Sequence, residues 1–272
     1  MDQNPDTPFA AQPPENPYAA PRARTDFVPG GTGILGEPQR WEIGEVLGGA
    51  WSAFEANWGV LLGTLLLSGI AIYVVVFAVG FAAAFVFHGQ FAEFGSPGME
   101  PRLGLGFFGV QLTTTVVTYL IEAYIAVGYW RLAIAAARGE RPTLATFFSG
   151  GGRYLTMLLL MIVQGLGTFV GFIFFIVPGI ILALGWLVSP ALVADTELSA
   201  IGSLKTSWAI SRGHKMNLFL FGLVLMLLNV AGALPCGLGL LVTAPMSAVA
   251  LAIVYTRMSG RTTQSSAAGT TA

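Results

Sequence analysis

The chain has 272 residues, 54% of them hydrophobic and only 10% charged, with a net charge of −1 and a mean hydropathy of +0.72. A soluble domain carries about 25% charged residues, so most of this chain has no polar face for water and its solvent is lipid. Nothing in the charge balance points to nucleic acid, and the one cysteine, Cys236, rules out an intramolecular disulfide.

Residues 1–40 hold eight of the fifteen prolines and no apolar run. They lack the apolar core of a signal peptide and are expected to persist as a disordered, Pro-rich cytoplasmic tail. The segment NPYAAP within it is either a binding motif or part of a solubilising tail.

The next stretch changes character. Ile43, Val46, Leu47, Ala50, Trp51, Phe54 and Trp58 fall on one stripe of a helix, with Glu42, Glu45, Ser52, Glu55 and Asn57 on other faces. Such a segment is expected to lie in the membrane interface, with Trp51 and Trp58 as anchors. Its acidic polar face argues against attraction to anionic lipid.

A crossing helix needs about 20 apolar residues, and six candidates follow: 59–87, 103–129, 155–176, 179–194, 216–234 and 238–256. The third and fourth meet at Val177–Gly179 and the fifth and sixth at Pro235–Gly237, where Pro and Gly suit tight hairpins. Of the 13 Lys and Arg residues, all but Arg102 fall on one side of this arrangement. Both termini are therefore expected on the cytoplasmic side of the membrane, with 259–272 as a second disordered tail.

Short amphipathic elements recur before the third and fifth spans. Leu144, Phe147 and Phe148 form one; Leu198, Ile201, Leu204 and Trp208 form the other, with Trp208 as a third anchor. The expected fold is an all-α six-helix membrane bundle of three units, each an interfacial helix followed by a transmembrane hairpin. Units with an even number of spans are parallel repeats. The first unit matches only at its start, because 88–102 joins its spans by a longer loop.

Few side chains in the spans could carry chemistry. Glu122 is the one acid there, and an ionised carboxylate in hydrocarbon costs about 2.5 kcal/mol or more. It is either a proton or cation site, or a structural residue hydrogen-bonded between helices or reaching water at the boundary. Gln111, Gln164 and Asn229 could join it in a polar seam. Pro190 and Pro245 occupy matching places in their units, and each frees a carbonyl one turn back for an ion, a ligand or a neighbouring hydroxyl. Gly59-x-x-x-Gly63 and Gly167-x-x-x-Gly171 would permit close helix contact. Asp195 and Glu197 are expected to cap the helix that starts near Leu198. His88 and His214 lie far apart, no His/Cys cluster has metal-site spacing, and no Walker A, G-x-S-x-G or H-E-x-x-H motif occurs. No metal, cofactor or enzymatic activity is expected.

Pro190, Asp195, the Ala200–Trp208 helix with Ser207, and then Asn217, Pro245 and Tyr255 carry a resemblance that spans roughly 43–258. The chain resembles the YciC-like family of uncharacterised bacterial inner-membrane proteins, and is similar to the membrane domain of some glycerophosphodiester phosphodiesterases. The resemblance implies a six-helix membrane protein without catalysis; no phosphodiesterase domain is present to carry that activity over. The expected function is lipid interaction, envelope maintenance or scaffolding, with membrane lipids as partners and protein partners or a homo-oligomer beside them. The alternative is a small transporter or channel lined by Glu122, Gln164 and the proline breaks.

Overall fold

The computed structural model describes residues 35–36, 38–86 and 103–261. Most of the expected N-terminal tail with NPYAAP, the 88–102 loop with Arg102, and the C-terminal tail beyond Arg261 lie outside the described residues.

Every described element is helical: α1 (Ile43–Val86), α2 (Leu103–Ala137), α3 (Leu144–Phe148), a 3-10 turn (Ser149–Arg153), α4 (Tyr154–Phe174), α5 (Ile176–Gly185), α6 (Ser189–Asp195), α7 (Ala200–Ile210), α8 (Lys215–Ala233) and α9 (Leu240–Ser259). Six stretches are long and apolar enough to cross a membrane: Ile43–Ala83, Gly109–Ala137, Leu144–Phe174, Ile176–Asp195, Lys215–Ala233 and Leu240–Ser259. The protein is an all-α, six-helix, multi-pass membrane bundle.

A helix of 44 residues would run about 66 Å, twice the hydrocarbon thickness, and α1 does not run straight. Asn57 leaves helical geometry (φ −130°, ψ 16°) where the amphipathic segment meets the wholly apolar one. Its side-chain amide donates to the carbonyl of Ala53 at 3.0 Å, a local bond that competes with the helix ladder. The stripe before the kink is divided. Val46, Ala50 and Phe54 are buried against protein, where Gly49 lets α1 approach Ile253 of α9, while Trp51 and Trp58 stay 45% and 59% exposed.

The core is concentrated toward one end of the bundle. Val46, Leu132, Leu192, Val249 and Tyr255 are fully buried there, whereas Phe77, Phe85, Phe169, Ile173 and Leu234 are exposed. Lipid is as apolar as these side chains, so burying them against protein gains little, and contact in that region depends on close packing of small residues. The hairpins show it. A Cβ on Gly171 would lie 3.1 Å from the Cα of Gly179, and one on Gly239 would lie 2.6 Å from the Cα of Gly232. Gly167 similarly makes room for Trp186, while a Cβ on Gly59 or Gly63 would meet no atom of the described residues within 4 Å.

The first of these hairpins turns earlier than the Val177–Gly179 signal indicates. The chain breaks at Phe175, which is extended, and Pro178 lies inside the first turn of α5. Its missing N–H costs nothing there, because first-turn donors have no intrahelical partner. The second hairpin turns over 234–239 as expected, with Gly237 in the left-handed region (φ 79°).

Gly171→Ala is expected to destabilise the bundle by about 1–3 kcal/mol through overpacking, lowering its thermal unfolding midpoint in detergent. Gly63→Ala should leave that midpoint unchanged or raise it; a midpoint in Gly171→Ala as high as in the parent would refute the glycine contact.

Candidate functional site

The intramembrane polar residues separate into local groups. In the second unit, Trp186 has a carbonyl that Pro190, four residues on, cannot bond. That oxygen lies 2.6 Å from the Ser189 hydroxyl and 3.4 Å from the Gln164 side-chain nitrogen, and the Ser189 hydroxyl also lies 2.9 Å from Gln164 Oε1. The serine has one proton and donates to one of its two acceptors at a time. The preceding carbonyl, Gly185, accepts from Ser207 at 2.8 Å. In the third unit, Asn229 donates to Ser247 Oγ at 2.8 Å and accepts from Thr243 at 3.0 Å, on either side of Pro245. Gln164 and Asn229 thus each tie the two arms of their own hairpin through a serine within two residues of the proline. A free backbone acceptor in hydrocarbon costs several kcal/mol, which is why partners gather on the Trp186 carbonyl at the break before Pro190; Pro245, expected to break its helix as well, lies inside an uninterrupted α9 instead.

Glu122 and Gln111 join neither group. Gln111 is exposed, and Glu122 is half-buried with no hydrogen bond or ion pair to any described residue. Glu122 lies nine residues before Arg131 on α2, roughly 14 Å along the helix axis. That is about half the thickness of a bilayer core. Tyr129, two turns on along the same face, has a buried hydroxyl with no hydrogen-bond partner.

The strongest polar construction is one the sequence signals did not reveal. Asp195, at the end of α6, is 9% exposed, and the Arg138 side chain at the end of α2 is 6% exposed. Arg138 grips both carboxylate oxygens at 2.8 Å, and Tyr255 of α9 and Arg261 Nε donate to Oδ2 at 2.8 and 2.7 Å. Arg138 also donates to the carbonyl of Arg261 at 3.2 Å. Burial pulls the Arg138 guanidinium down, but its hydrogen bonds to Asp195 more than offset this and hold it above its ordinary value. Four donor atoms from the ends of α2 and α9 therefore converge on one carboxylate at the end of α6.

Two further arginines complete the clamp. Arg131 donates to the Ala194 carbonyl at 3.1 Å and to Ser149 at 2.7 Å. Arg153 donates to the Val193 carbonyl at 3.2 Å, to the Leu198 carbonyl, and to Glu197 at 3.2 Å. The last carbonyls of a helix lack partners and carry partial negative charge, and guanidinium donors satisfy both needs. So Asp195 and Glu197 do not cap α7. Ser199 does, accepting from the Gly202 amide, and Asp195 is the hub of an ion-pair network. A chain-order reading places Arg138 and Asp195 57 residues apart, and no local pattern joins them.

The face that α7 buries also differs from the apolar stripe. Ala200, Ser203, Leu204 and Ser207 are buried while Ile201 is 45% exposed. Ser203 donates to its own helix at Ser199 and Ser207 to Gly185, so small hydroxyl side chains can line a tight contact. Trp208 rests over Gly185, where a Cβ could not fit, and Lys215 sits 3.6 Å above its ring.

Comparison with known proteins finds distant relatives only. Over 230 residues the chain is 23% identical to an uncharacterised protein of Mycobacterium bovis and to uncharacterised proteins of two strains of Mycobacterium tuberculosis, covering 81% of this chain and 69% of each relative. No family model matches the chain, and no solved structure matches it.

Asp195→Ala strands the buried Arg138 charge and is expected to cost about 3–5 kcal/mol, measured as a lower unfolding midpoint in detergent. Glu197→Gln, at a side chain 92% exposed in its pair with Arg153, should cost less than about 1 kcal/mol.

Proposed function

We propose that the chain is a non-enzymatic, lipid-interacting protein of the bacterial inner (cytoplasmic) membrane, with both termini cytoplasmic, acting in envelope maintenance or as a scaffold. The observation that carries this reading is a groove of about 460 Å³ at the arginine-rich end of the bundle, between α1 and α2. Gly49, Ala53 and Ala56 on one wall face Ala136 and Ala137 on the other, with Glu140 and Arg141 also lining it. Short side chains leave room for a chain of methylenes, and the polar lining suits a headgroup. The groove lies beside the Asn57 kink, at the depth where the apolar part of α1 begins.

Two other observations support the reading. Gln164, Asn229 and the carbonyl beside Pro190 are occupied by partners within the chain, which leaves less of the seam for a solute. The resemblance to YciC-like proteins rests partly on Asp195 and Tyr255, and these two residues are in contact.

A second reading, a proton- or cation-coupled transporter or channel, draws on α2. Glu122 and the Tyr129 hydroxyl share a face and both lack a hydrogen-bond partner among the described residues. Ionisable groups inside spans commonly mark ion or proton paths.

Native mass spectrometry of the protein released gently from its own membrane, with Glu122→Gln alongside, separates the two. Retained phospholipid, equal in both proteins, is the expected result. A retained small molecule or ion that is lost in Glu122→Gln would overturn it in favour of transport.

A further inference from the structure

Most described arginines at the arginine-rich end are spent inside the chain. Arg131, Arg138, Arg153, Arg257 and Arg261 are committed to carboxylates or carbonyls within the chain. Arg40, Arg141, Lys205 and Arg212 are exposed and have no hydrogen bond or ion pair with any described residue; of these four, only Lys205 and Arg212 flank an aromatic ring on α7 and the turn after it. Between them, Trp208 carries Lys215 over its ring at 3.6 Å.

These residues share one face. Ile201, Lys205 and Trp208 are spaced by four and three along α7, and Arg212 follows four residues later in the turn before α8. Residues three and four apart are neighbours on a helix surface. The opposite face, with Ala200, Ser203, Leu204 and Ser207, is buried and held by Ser207 on the Gly185 carbonyl, while the half-buried Trp208 lies at the edge between the two faces with its ring against Gly185. The cations are therefore held on a rigid support.

Nothing within the surrounding sequence neutralises them. No Asp or Glu occurs after Glu197, and Glu197 is engaged by Arg153. The contrast with α1 is direct, since Glu42 just before it and Glu55 on it are acids without a basic partner among the described residues, and Glu45 is paired with Arg257. The surface also combines charge with apolar bodies, because Ile201 is 45% exposed beside the cations and Trp208 is partly so. Cations over an aromatic and an aliphatic side chain, directly before the apolar helix α8, match the boundary between headgroups and acyl chains. A soluble polyanion would use the charges and leave Ile201 unmatched.

We infer that the exposed face of α7 and the turn after it form a binding site for anionic phospholipid headgroups of the same bilayer, with Lys205 and Arg212 on the phosphate and Trp208, backed by Lys215, at the glycerol level. This deepens the lipid-interacting reading and rests on it. It separates two surfaces at one end of the bundle: an acidic one on α1 that repels anionic lipid, and a basic one on α7 that retains it.

The test uses the full-length protein in detergent, titrated with phosphatidylglycerol and with phosphatidylcholine of the same acyl chains, and read by native mass spectrometry. The parent should bind phosphatidylglycerol more tightly. Lys205→Gln with Arg212→Gln should weaken that binding roughly 30-fold, the effect of two surface charges, and leave phosphatidylcholine binding as it was. The exchange Lys205→Arg with Arg212→Lys keeps the charges and should keep the preference, with circular dichroism verifying that each variant is folded. A preference unchanged in the double Gln variant overturns the inference and leaves the lipid-interacting reading standing. Displacement of phosphatidylglycerol by an equal concentration of inorganic phosphate also overturns it, in favour of a free-anion site. No lipid retained by any of the proteins overturns both.

Discussion

The bundle depends on one buried carboxylate. Asp195 receives Arg138, Tyr255 and Arg261, and an ion in that position is tolerated only when its partners are complete. The network ties the end of α2, the end of α6, α9 and Arg261 two residues beyond α9. The adjoining arginines hold the carbonyls of Val193, Ala194 and Leu198. Between them these contacts fix the path of the chain from α6 into α7. The orientation of α7, and so which of its side chains face outward, follows from this clamp. Basic residues that satisfy a topology rule for membrane insertion are here also the bonds that assemble the folded end.

Away from that end the constraint is different. The side chains of the spans have no water to escape, so packing comes from glycine pairs at Gly171–Gly179 and Gly232–Gly239 and from amide–serine pairs that accompany the prolines. Both hairpins use the same two devices. That recurrence gives the second and third units a physical likeness beyond their shared apolar composition. The first unit shares only the amphipathic opening, and its kink at Asn57 takes the place of a loop.

On the proposed reading, the arginine-rich end serves lipid on two surfaces: a small-residue groove between α1 and α2, and the basic face of α7. Each lies where an amphipathic segment leads into an apolar helix. The junction therefore presents the bilayer with a headgroup-level surface on a rigid protein base. The mycobacterial relatives, at 23% identity over most of the chain, are uncharacterised and leave the chemistry of these surfaces to this protein's own residues.

The sequence by itself determined that the chain is helical and that six of its stretches are long and apolar enough to cross lipid, since apolar length is a local property. It also marked Asn57 as polar at the junction and Pro190 as a break. Only the tertiary structure decided what the polar residues do. Gln164 and Asn229 were visible as polar positions, but their serine partners lie 25 and 18 residues away. Asp195 looked like a helix cap because its partners come from 57, 60 and 66 residues off. The buried face of α7 was hidden for a related reason: serines can line a tight contact when carbonyls stand opposite, and periodicity of apolar residues cannot report where those carbonyls are.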